Sequence, residues 1–440
     1  MTLVAGICLG LATGCFTRVA EAGDPASRAG LDQLFQQLLV DPGNLDLNLR
    51  YAEMAETLGN LEAAVSALDR VLARYPGAPE PRLALGLLYA RLGSYDMARA
   101  YLMPLATDTA TPEIAGRARE ALRLVDQLAS RHQFGGSLFV GVQSQTNPGA
   151  LPGATNILVA GVDTLVAGNF VKHHDFDGFA KADGGYRYDL GTAFRDAIEA
   201  HGVAYASVFG QQNRLDLGLG EVSVGPRWSL QHVGVSGGDI SPYLLLDYVS
   251  LGGSTYYAAY GGGLNLHQQL DGYATLSLDA QSRQANYSSS TNYPTANLLT
   301  GRIDRVTLEL SRVIGEIGTL TVNGGYTRQN ARAAFYASED YVVGAGFTFG
   351  FDAGPLSLGL PWQANFSAAH HWIDYDAADP GVSPGAVRRD GRWQIGVAQI
   401  IPLAPQIAAV AQFYRDIDSS TVRNYSYTNT AFTLGLRFGL

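Results

Sequence analysis

The segments RVTLELS (residues 305–311) and TLTVNGGYT (residues 319–327) determine the expected fold, because apolar and polar side chains alternate in both of them. Successive side chains of an extended strand point to opposite faces, so Val306, Leu308 and Leu310 share one face. The residues between them form a second face that is hydrophilic and partly charged. Each segment is therefore predicted to be a β-strand with one apolar surface.

This period of two begins at Phe134 and continues to Leu440. It divides the region into about fourteen strand candidates of roughly ten residues, the length that crosses a bilayer when tilted. The candidates begin near Phe134, Gly178, Ile198, Leu217, Ser241, Gly253, Gly272, Arg302, Gly318, Asp340, Pro361, Gly391, Gln406 and Tyr427. We therefore predict an all-β antiparallel transmembrane barrel over residues 134–440.

The connections between these strands support a barrel over a soluble β-sandwich, which would show the same alternation. The long ones all fall at one end of an antiparallel barrel, and they are Asn147–Asp177, Ser288–Gly301, Tyr375–Arg389 and Asp416–Asn424. Links at the other end, such as Gly315–Gly318, are shorter. Short periplasmic turns and long outer loops are typical of barrels in the bacterial outer membrane.

The last strand candidate keeps its apolar alternation up to the final residue. Its apolar positions are Phe432, Leu434, Leu436, Phe438 and Leu440. Such a strand resembles the C-terminal strand by which outer-membrane proteins are recognised for insertion. We therefore expect outer-membrane lipid and the barrel-assembly machinery among the partners.

The hydrophilic faces of the strands are expected to line the lumen. The lumen-lining candidates are Lys181, Asp183, Arg187, Asp189, Arg305 and Glu309. Charges of both signs favour cross-strand pairs around a water-filled interior, with a selectivity lining as the alternative.

Residues 25–131 show a helical period and repeat themselves at a spacing of 34 residues, which resembles the tetratricopeptide repeat. Small residues allow two helices to approach closely, and aromatic residues fill the groove between them. The repeat-packing positions are Ala52, Gly59, Ala64, Gly86, Tyr89, Gly93, Tyr95 and Ala98. We predict an all-α tetratricopeptide array in the periplasm, with a generic helical bundle as the alternative. Such arrays bind a segment of a partner on their concave face.

The N-terminus and the overall charge restrict the location and the partners. The apolar stretch Leu3–Phe16 precedes Ala20-Glu21-Ala22, a pattern that predicts a secretory signal peptide over residues 1–22. Both cysteines, Cys8 and Cys15, would leave with it. The net charge is −10 and no basic block occurs, so nucleic-acid binding is not expected.

No pattern in the sequence predicts catalysis, a metal site or a cofactor. The segment Gly234–Gly238 matches G-x-S-x-G, but it lies between two strand candidates, where glycines form turns. The adjacent pairs His173-His174 and His370-His371 would point to opposite faces of a strand. We therefore expect a protein that is not an enzyme.

A short tetratricopeptide domain before a barrel of about fourteen strands resembles the surface lipoprotein assembly modifiers, the Slam proteins. Gly136–Gly141 and Thr146-Asn147 look like that family's barrel opening, Val224-Gly225-Pro226 looks like its Gly-Pro segment, and Tyr425–Phe438 looks like its closing strand. The resemblance implies a translocator that moves a protein or lipoprotein across the outer membrane.

Two other functions are compatible with this architecture. Exopolysaccharide exporters also join periplasmic tetratricopeptide repeats to a barrel, but they usually carry many more repeats and a lumen of one charge sign. A plain porin does not need the helical domain. The expected function is therefore a translocator, with a polysaccharide exporter as the alternative.

Overall fold

The protein is described by a computed structural model that covers residues 25–58, 60–108, 110–165, 172–315, 317–354 and 360–440. The predicted signal peptide and Gly59 lie outside the described residues. The chain divides into two compact units, one helical and one β, whose boundary in the sequence lies between Gln133 and Phe134.

The described part of the helical unit contains six helices. They are α1 (Pro25–Val40), α2 (Leu45–Thr57), α3 (Leu61–Arg74), α4 (Pro79–Arg91), α5 (Tyr95–Ala106) and α6 (Pro112–Ala129). Local sequence sets their starts: the Asn44 side chain accepts a hydrogen bond from the Leu47 amide at 3.1 Å, and Asn60 does the same for Ala63 at 3.2 Å. No described helix is long and apolar enough to cross a membrane.

The β unit is a closed antiparallel barrel of fourteen strands, which confirms the predicted fold. Its strands are β1 (His132–Gln145), β4 (Asp175–Asp189), β5 (Ala197–Phe209), β6 (Leu217–Ser229), β7 (Gly238–Leu251), β8 (Ser254–Gln269), β9 (Ala274–Tyr287), β10 (Gly301–Ile314), β11 (Gly318–Gln329), β12 (Ser338–Phe351), β13 (Trp362–Tyr375), β14 (Arg389–Ala404), β15 (Ile407–Ser420) and β16 (Tyr427–Gly439). The seam joins β1 to β16, from Ser137 opposite Gly439 to Gln145 opposite Ala431.

Two further strands form a small hairpin that is not part of the barrel sheet. They are β2 (Asn156–Val159) and β3 (Val162–Leu165), and they pair only with each other. The sequence pattern predicts only a connection in this region, because four-residue strands are too short to show a period. The observed strand starts differ most from the predicted ones at β4 and β7, which begin at Asp175 and Gly238 instead of Gly178 and Ser241.

An apolar band covers the outside of the barrel. Leu266, Leu278 and Leu308 lie opposite one another across β8, β9 and β10, so they share one face. The side chain of Leu308 is 47% exposed, and that of Leu244 on β7 is 70% exposed. In a closed barrel every strand pairs on both sides, so the backbone N–H and C=O groups form hydrogen bonds within the sheet. An outward aliphatic surface is compatible with surrounding lipid, and the two features together are typical of an outer-membrane barrel.

Candidate functional site

The lumen face of the barrel carries all six predicted lining residues. On β4, Lys181 lies opposite Tyr205 of β5, and Asp183 lies opposite Val203, with Arg187 and Asp189 on the same face. On β10, Arg305 and Glu309 alternate with the outward Leu308. The two sets are on strands that are not neighbours, so the structure does not bring the six residues together.

The ion pairs of the inner surface involve partners that the sequence pattern did not identify. The Arg187 guanidinium lies 3.9 Å from the Glu199 carboxylate of β5. On β6, Arg227 lies 2.7 Å from the Asp239 carboxylate of β7. Glu199 and Arg227 occupy inward positions of the alternating pattern, which the sequence shows. Which charges form pairs depends on the register of neighbouring strands, which the sequence pattern does not give. Charges of both signs therefore pair across neighbouring strands near the inner end of the barrel.

Loop 1, the segment between β1 and β4 of which residues 146–165 and 172–174 are described, folds against the barrel wall. Asn147 is only 1% exposed. Its backbone N–H donates a hydrogen bond to Oδ1 of Asn429 on β16 at 2.8 Å. Its side chain accepts from the Leu151 amide at 3.1 Å and donates to the Leu151 carbonyl at 2.8 Å. These bonds hold the first turn of loop 1 inside the barrel rim.

The β2–β3 hairpin holds the rest of the described loop 1 in place. Asn424, after β15, accepts from the Leu158 amide at 2.7 Å and donates to the Leu158 carbonyl at 2.8 Å. At the tip of the hairpin, the Ala160 amide donates to the Gly381 carbonyl at 2.9 Å. Loop 1 is thus attached to the outer loops that follow β13 and β15.

A cavity of about 240 Å³ lies beneath loop 1 inside the barrel. Loop 1 contributes Asn147, Pro148 and Ala150 to its wall. The strands contribute aromatic rings, side-chain amides and charged groups, namely Phe139, Phe179, Tyr205, Tyr414, Tyr427, Gln143, Gln145, Gln412, Asn429, Lys181, Arg392 and Asp416. Of the predicted lining residues, Lys181 is the one that borders this cavity.

One wall of the cavity is a rigid charged network. Arg392 binds Asp416 through two hydrogen bonds, from Nε at 2.8 Å and from Nη2 at 2.6 Å. The Tyr427 hydroxyl donates to the same carboxylate at 2.9 Å. Arg392 is only 4% exposed, so this planar pair is held in a defined geometry. On the same wall, the buried Tyr414 hydroxyl has no hydrogen-bond partner among the described residues.

The inner face toward the outer end of β6 to β9 is apolar, which contradicts the expectation of a hydrophilic lumen face throughout. Leu217, Val249 and Leu251 are inward and buried. They form one cluster with tyrosines of β8 and of the outer loop after β9, including Tyr257 and Tyr293. Because these side chains pack on one another and on that loop, they fill part of the lumen that was expected to hold water.

The repeat-packing residues of the helical unit lie where helices cross. Ala52, Ala64 and Ala98 are at most 5% exposed. A Cβ on Gly86 would lie 2.6 Å from Leu102, so a larger residue would separate α4 from α5. The remaining described positions act at the same crossings: Tyr89 stacks on Tyr101 with ring centroids 5.5 Å apart, Tyr95 packs on the core, and Gly93 adopts a φ of +73° between α4 and α5.

Two ion pairs identify the face that α2, α4 and α6 share. Arg91 of α4 lies 2.6 Å from Glu56 of α2, and Arg117 of α6 lies 3.2 Å from Glu80 of α4. The spacing of Glu80, Leu87 and Arg91 places all three on one side of α4. In a stack of helix pairs, the first helices line the concave surface. Leu87 therefore lies on that surface, between the two ion pairs.

The same surface exposes an apolar side chain on each of its three helices. Leu49 shares its side of α2 with Glu56, and Leu124 shares its side of α6 with Arg117. Leu49, Leu87 and Leu124 are 37%, 38% and 51% exposed. We call these three residues the leucine face.

The other motifs do not form a site in the described residues. Gly234 ends a short 3-10 turn between β6 and β7 with a φ of +81°, so the G-x-S-x-G segment lies in a turn. His370 lies against the outward Trp372 and Trp393 with ring centroids 4.4 and 4.5 Å away. His371 points inward and contacts Asp340 at 3.1 Å. No group of three metal-ligating side chains occurs in the described ranges.

Comparison with known proteins addresses the helical unit first. Residues 45–88 match the tetratricopeptide repeat family. This match confirms a tetratricopeptide repeat in that segment. A tetratricopeptide repeat protein from Parabacteroides merdae shares 20% identity over 23% of this chain with a TM-score of 0.22, and the chain spans 39% of that protein. None of the curated proteins matches the chain in sequence.

Solved structures also resemble the β unit. OprB from Pseudomonas putida shares 8% identity, with 73% of this chain and 96% of that chain covered and a TM-score of 0.36. A bacterial polysaccharide outer-membrane secretin shares 9% identity, with 69% and 98% covered and a TM-score of 0.35. These similarities concern the fold alone.

Proposed function

We propose that this protein is an outer-membrane translocator. Its helical unit captures an exported protein or lipoprotein in the periplasm, and its barrel delivers that cargo to the cell surface or medium. The observation that supports capture is the leucine face, because three exposed leucines line the surface that tetratricopeptide arrays use for protein segments. Isolated apolar residues are common on protein surfaces, but these three lie on adjacent helices of one concave surface.

The barrel limits how delivery can occur. Loop 1 is bonded to Asn429 and Asn424, and apolar side chains fill the lumen beside β6 to β9. We propose that loop 1 leaves these anchors when an extended polypeptide passes through the lumen. Capture by the helical unit and release of loop 1 are thus separate steps of the proposed function, and each has its own test.

The capture step is tested by Leu87→Ser combined with Leu124→Ser in the full-length chain. Both changes remove apolar area from the concave surface without changing charge. We expect at least one protein to disappear from the protease-accessible surface proteome or from the medium. Met103→Ser is the matched control, because Met103 is 58% exposed on α5, away from the leucine face. A heat-modifiable gel band shows in each case that the barrel is inserted.

The competing function, which the sequence also allows, is export of an extracellular polysaccharide. Deletion of residues 25–131 separates the two functions if the barrel still inserts. Loss of an extracellular polysaccharide with an unchanged surface proteome would replace the translocator by the exporter. A gene for a secreted protein or lipoprotein next to this gene would support translocation, and a glycosyltransferase operon would support export.

A further inference from the structure

We infer that the cavity beneath loop 1 is a binding site for one carboxylate-bearing sugar, a hexuronic acid unit. This site does not depend on the proposed capture of a protein by the helical unit. Of the residues that the proposal uses, the lumen-lining prediction identified only Lys181, because the walls come from the first and last strands of the barrel and from loop 1. The inference rests on the size, the aromatic surface, the free hydroxyl and the charge of the cavity.

The size of the cavity suits a small molecule. Its volume is about 240 Å³, below the range of about 300–1,000 Å³ that is usual for drug-sized ligands. A single pyranose ring fits such a space. Loop 1 forms one wall, so a ligand in the cavity would contact the loop while the loop keeps its anchors.

Aromatic rings give the cavity an apolar surface of the kind that packs against a sugar ring. Phe179 contacts Phe139 edge-on with ring centroids 5.0 Å apart and stacks near Tyr205 at 6.2 Å. The three rings come from β1, β4 and β5, and they lie on the inner face, although apolar side chains are expected outside a barrel. An inward aromatic cluster next to polar groups is typical of ligand sites.

The polar groups of the cavity include a hydroxyl that lacks a partner. The Tyr414 hydroxyl is buried and makes no hydrogen bond within the described part of the chain. Leaving a buried hydroxyl without a partner is costly, so a ligand that supplies one gains affinity. The Gln412 amide borders the same space and can both donate and accept. Sugar hydroxyls also donate and accept, so they match this wall.

The charged groups of the cavity leave one positive charge in excess. Arg392 and Asp416 neutralise each other through two hydrogen bonds. Lys181 has no carboxylate within ion-pair distance among the described residues, although it borders the cavity. An ammonium group that is not held in an ion pair can bind an anionic ligand. A carboxylate on the sugar supplies that charge, which a neutral sugar lacks.

The test is isothermal titration calorimetry of the full-length protein in detergent with sodium D-glucuronate. We expect saturable binding to one site. D-Glucose lacks the carboxylate, and benzoate has the carboxylate and an apolar ring but no hydroxyls. Both are expected to bind about tenfold more weakly or worse, since each loses a hydrogen-bonding or charged contact. Absence of glucuronate binding, or equal binding of glucose or benzoate, would overturn the inference.

Variants assign the binding to this cavity. Lys181→Met keeps the aliphatic stem and removes the charge, and Tyr414→Phe removes only the hydroxyl. Each is expected to weaken glucuronate binding by about tenfold. Arg305→Met is the matched control, because Arg305 is also an inward cation but does not border the cavity. If Lys181→Met binds glucuronate as tightly as the unchanged protein, the cavity is not the site. This result is independent of the surface-proteome test.

Discussion

The backbone N–H of Asn147 donates a hydrogen bond to the side chain of Asn429, and this bond joins the first outer loop to the last strand of the barrel at 2.8 Å. Asn429 also donates to the Gln145 side chain at 3.0 Å. One asparagine on β16 thus holds both the end of β1 and the start of loop 1.

Asn429→Ala removes both of these contacts. We expect loop 1 to leave the rim more often, which would raise the ion conductance of the barrel in planar lipid bilayers. Asn365→Ala is the control, because Asn365 makes a similar bond to Thr348 at 2.8 Å, away from loop 1. Equal conductance of the two variants would mean that Asn429 does not hold the loop closed.

The outward apolar band leads to a second prediction. Leu308→Arg places a charge on the lipid face near the middle of β10 and should lower the free energy of unfolding by about 2–4 kcal/mol. Thr307→Arg, at the neighbouring position on the lumen face, should cost much less. Urea titration of the barrel folded in lipid vesicles measures both values. Similar costs would show that the two faces are wrongly assigned.

The buried pair on the cavity wall leads to a third prediction. Asp416→Asn leaves the Arg392 charge buried without its partner and should destabilise the barrel by about 3–5 kcal/mol. Asp304→Asn breaks an exposed pair, since Arg302 is 63% exposed, and should cost less than about 1 kcal/mol. The midpoints of urea unfolding compare the two. A small effect of Asp416→Asn would mean that water or relaxation compensates for the lost partner.

The turn between β4 and β5 leads to a prediction about pH. The Asp196 carboxylate accepts hydrogen bonds from the Ser229 amide at 3.0 Å and the Thr192 hydroxyl at 2.8 Å, and it contacts the His232 ring at 2.9 Å. The hydrogen bonds from Ser229, His232 and Thr192 lower the pKa of this carboxyl to about 2. The pKa of an aspartate in an unfolded chain is about 3.9. The ionised carboxylate therefore stabilises the fold fully above about pH 4, and this stabilisation is lost as the pH falls through about 2.

Asp196→Asn should therefore destabilise the turn at pH 7, on the order of 1–2 kcal/mol, and have little effect at pH 2. Amide hydrogen exchange of residues 190–196, extrapolated across this pH range, reports the local free energy of opening. A difference between variant and unchanged protein that stays constant with pH would rule out the carboxylate as its source.

The sequence predicted the number of barrel strands because the outward positions stay apolar over whole strands. Positions such as Leu308 and Leu310 must be apolar because they face lipid. This requirement produces an alternation of period two that can be recognised in the sequence without knowledge of the tertiary structure. The repeat was equally visible, since Ala64 and Ala98 occupy the same tight crossing in successive repeats.

The candidate site was less predictable, because the type of an inward side chain depends on which residues it contacts across the lumen. Phe139 and Val249 are apolar and inward, which no pattern of a single strand distinguishes from an outward position. The pairing of Arg187 with Glu199 depends on the register between β4 and β5. The fold of loop 1 depends on Asn147 meeting Asn429, a contact between residues 282 positions apart.

The seam between β1 and β16 also affects the order in which the barrel assembles. Gln143 of β1 bonds to Thr433 of β16 at 2.8 Å across 290 positions of the chain. Closing so long a segment is entropically unfavourable until the intervening hairpins have formed, and β1 remains unpaired on that side until β16 joins it. The anchor of loop 1 and the cavity beneath it therefore come into existence together, as the last products of assembly. Before the seam closes, the barrel is open along one side and loop 1 lacks its anchor on Asn429.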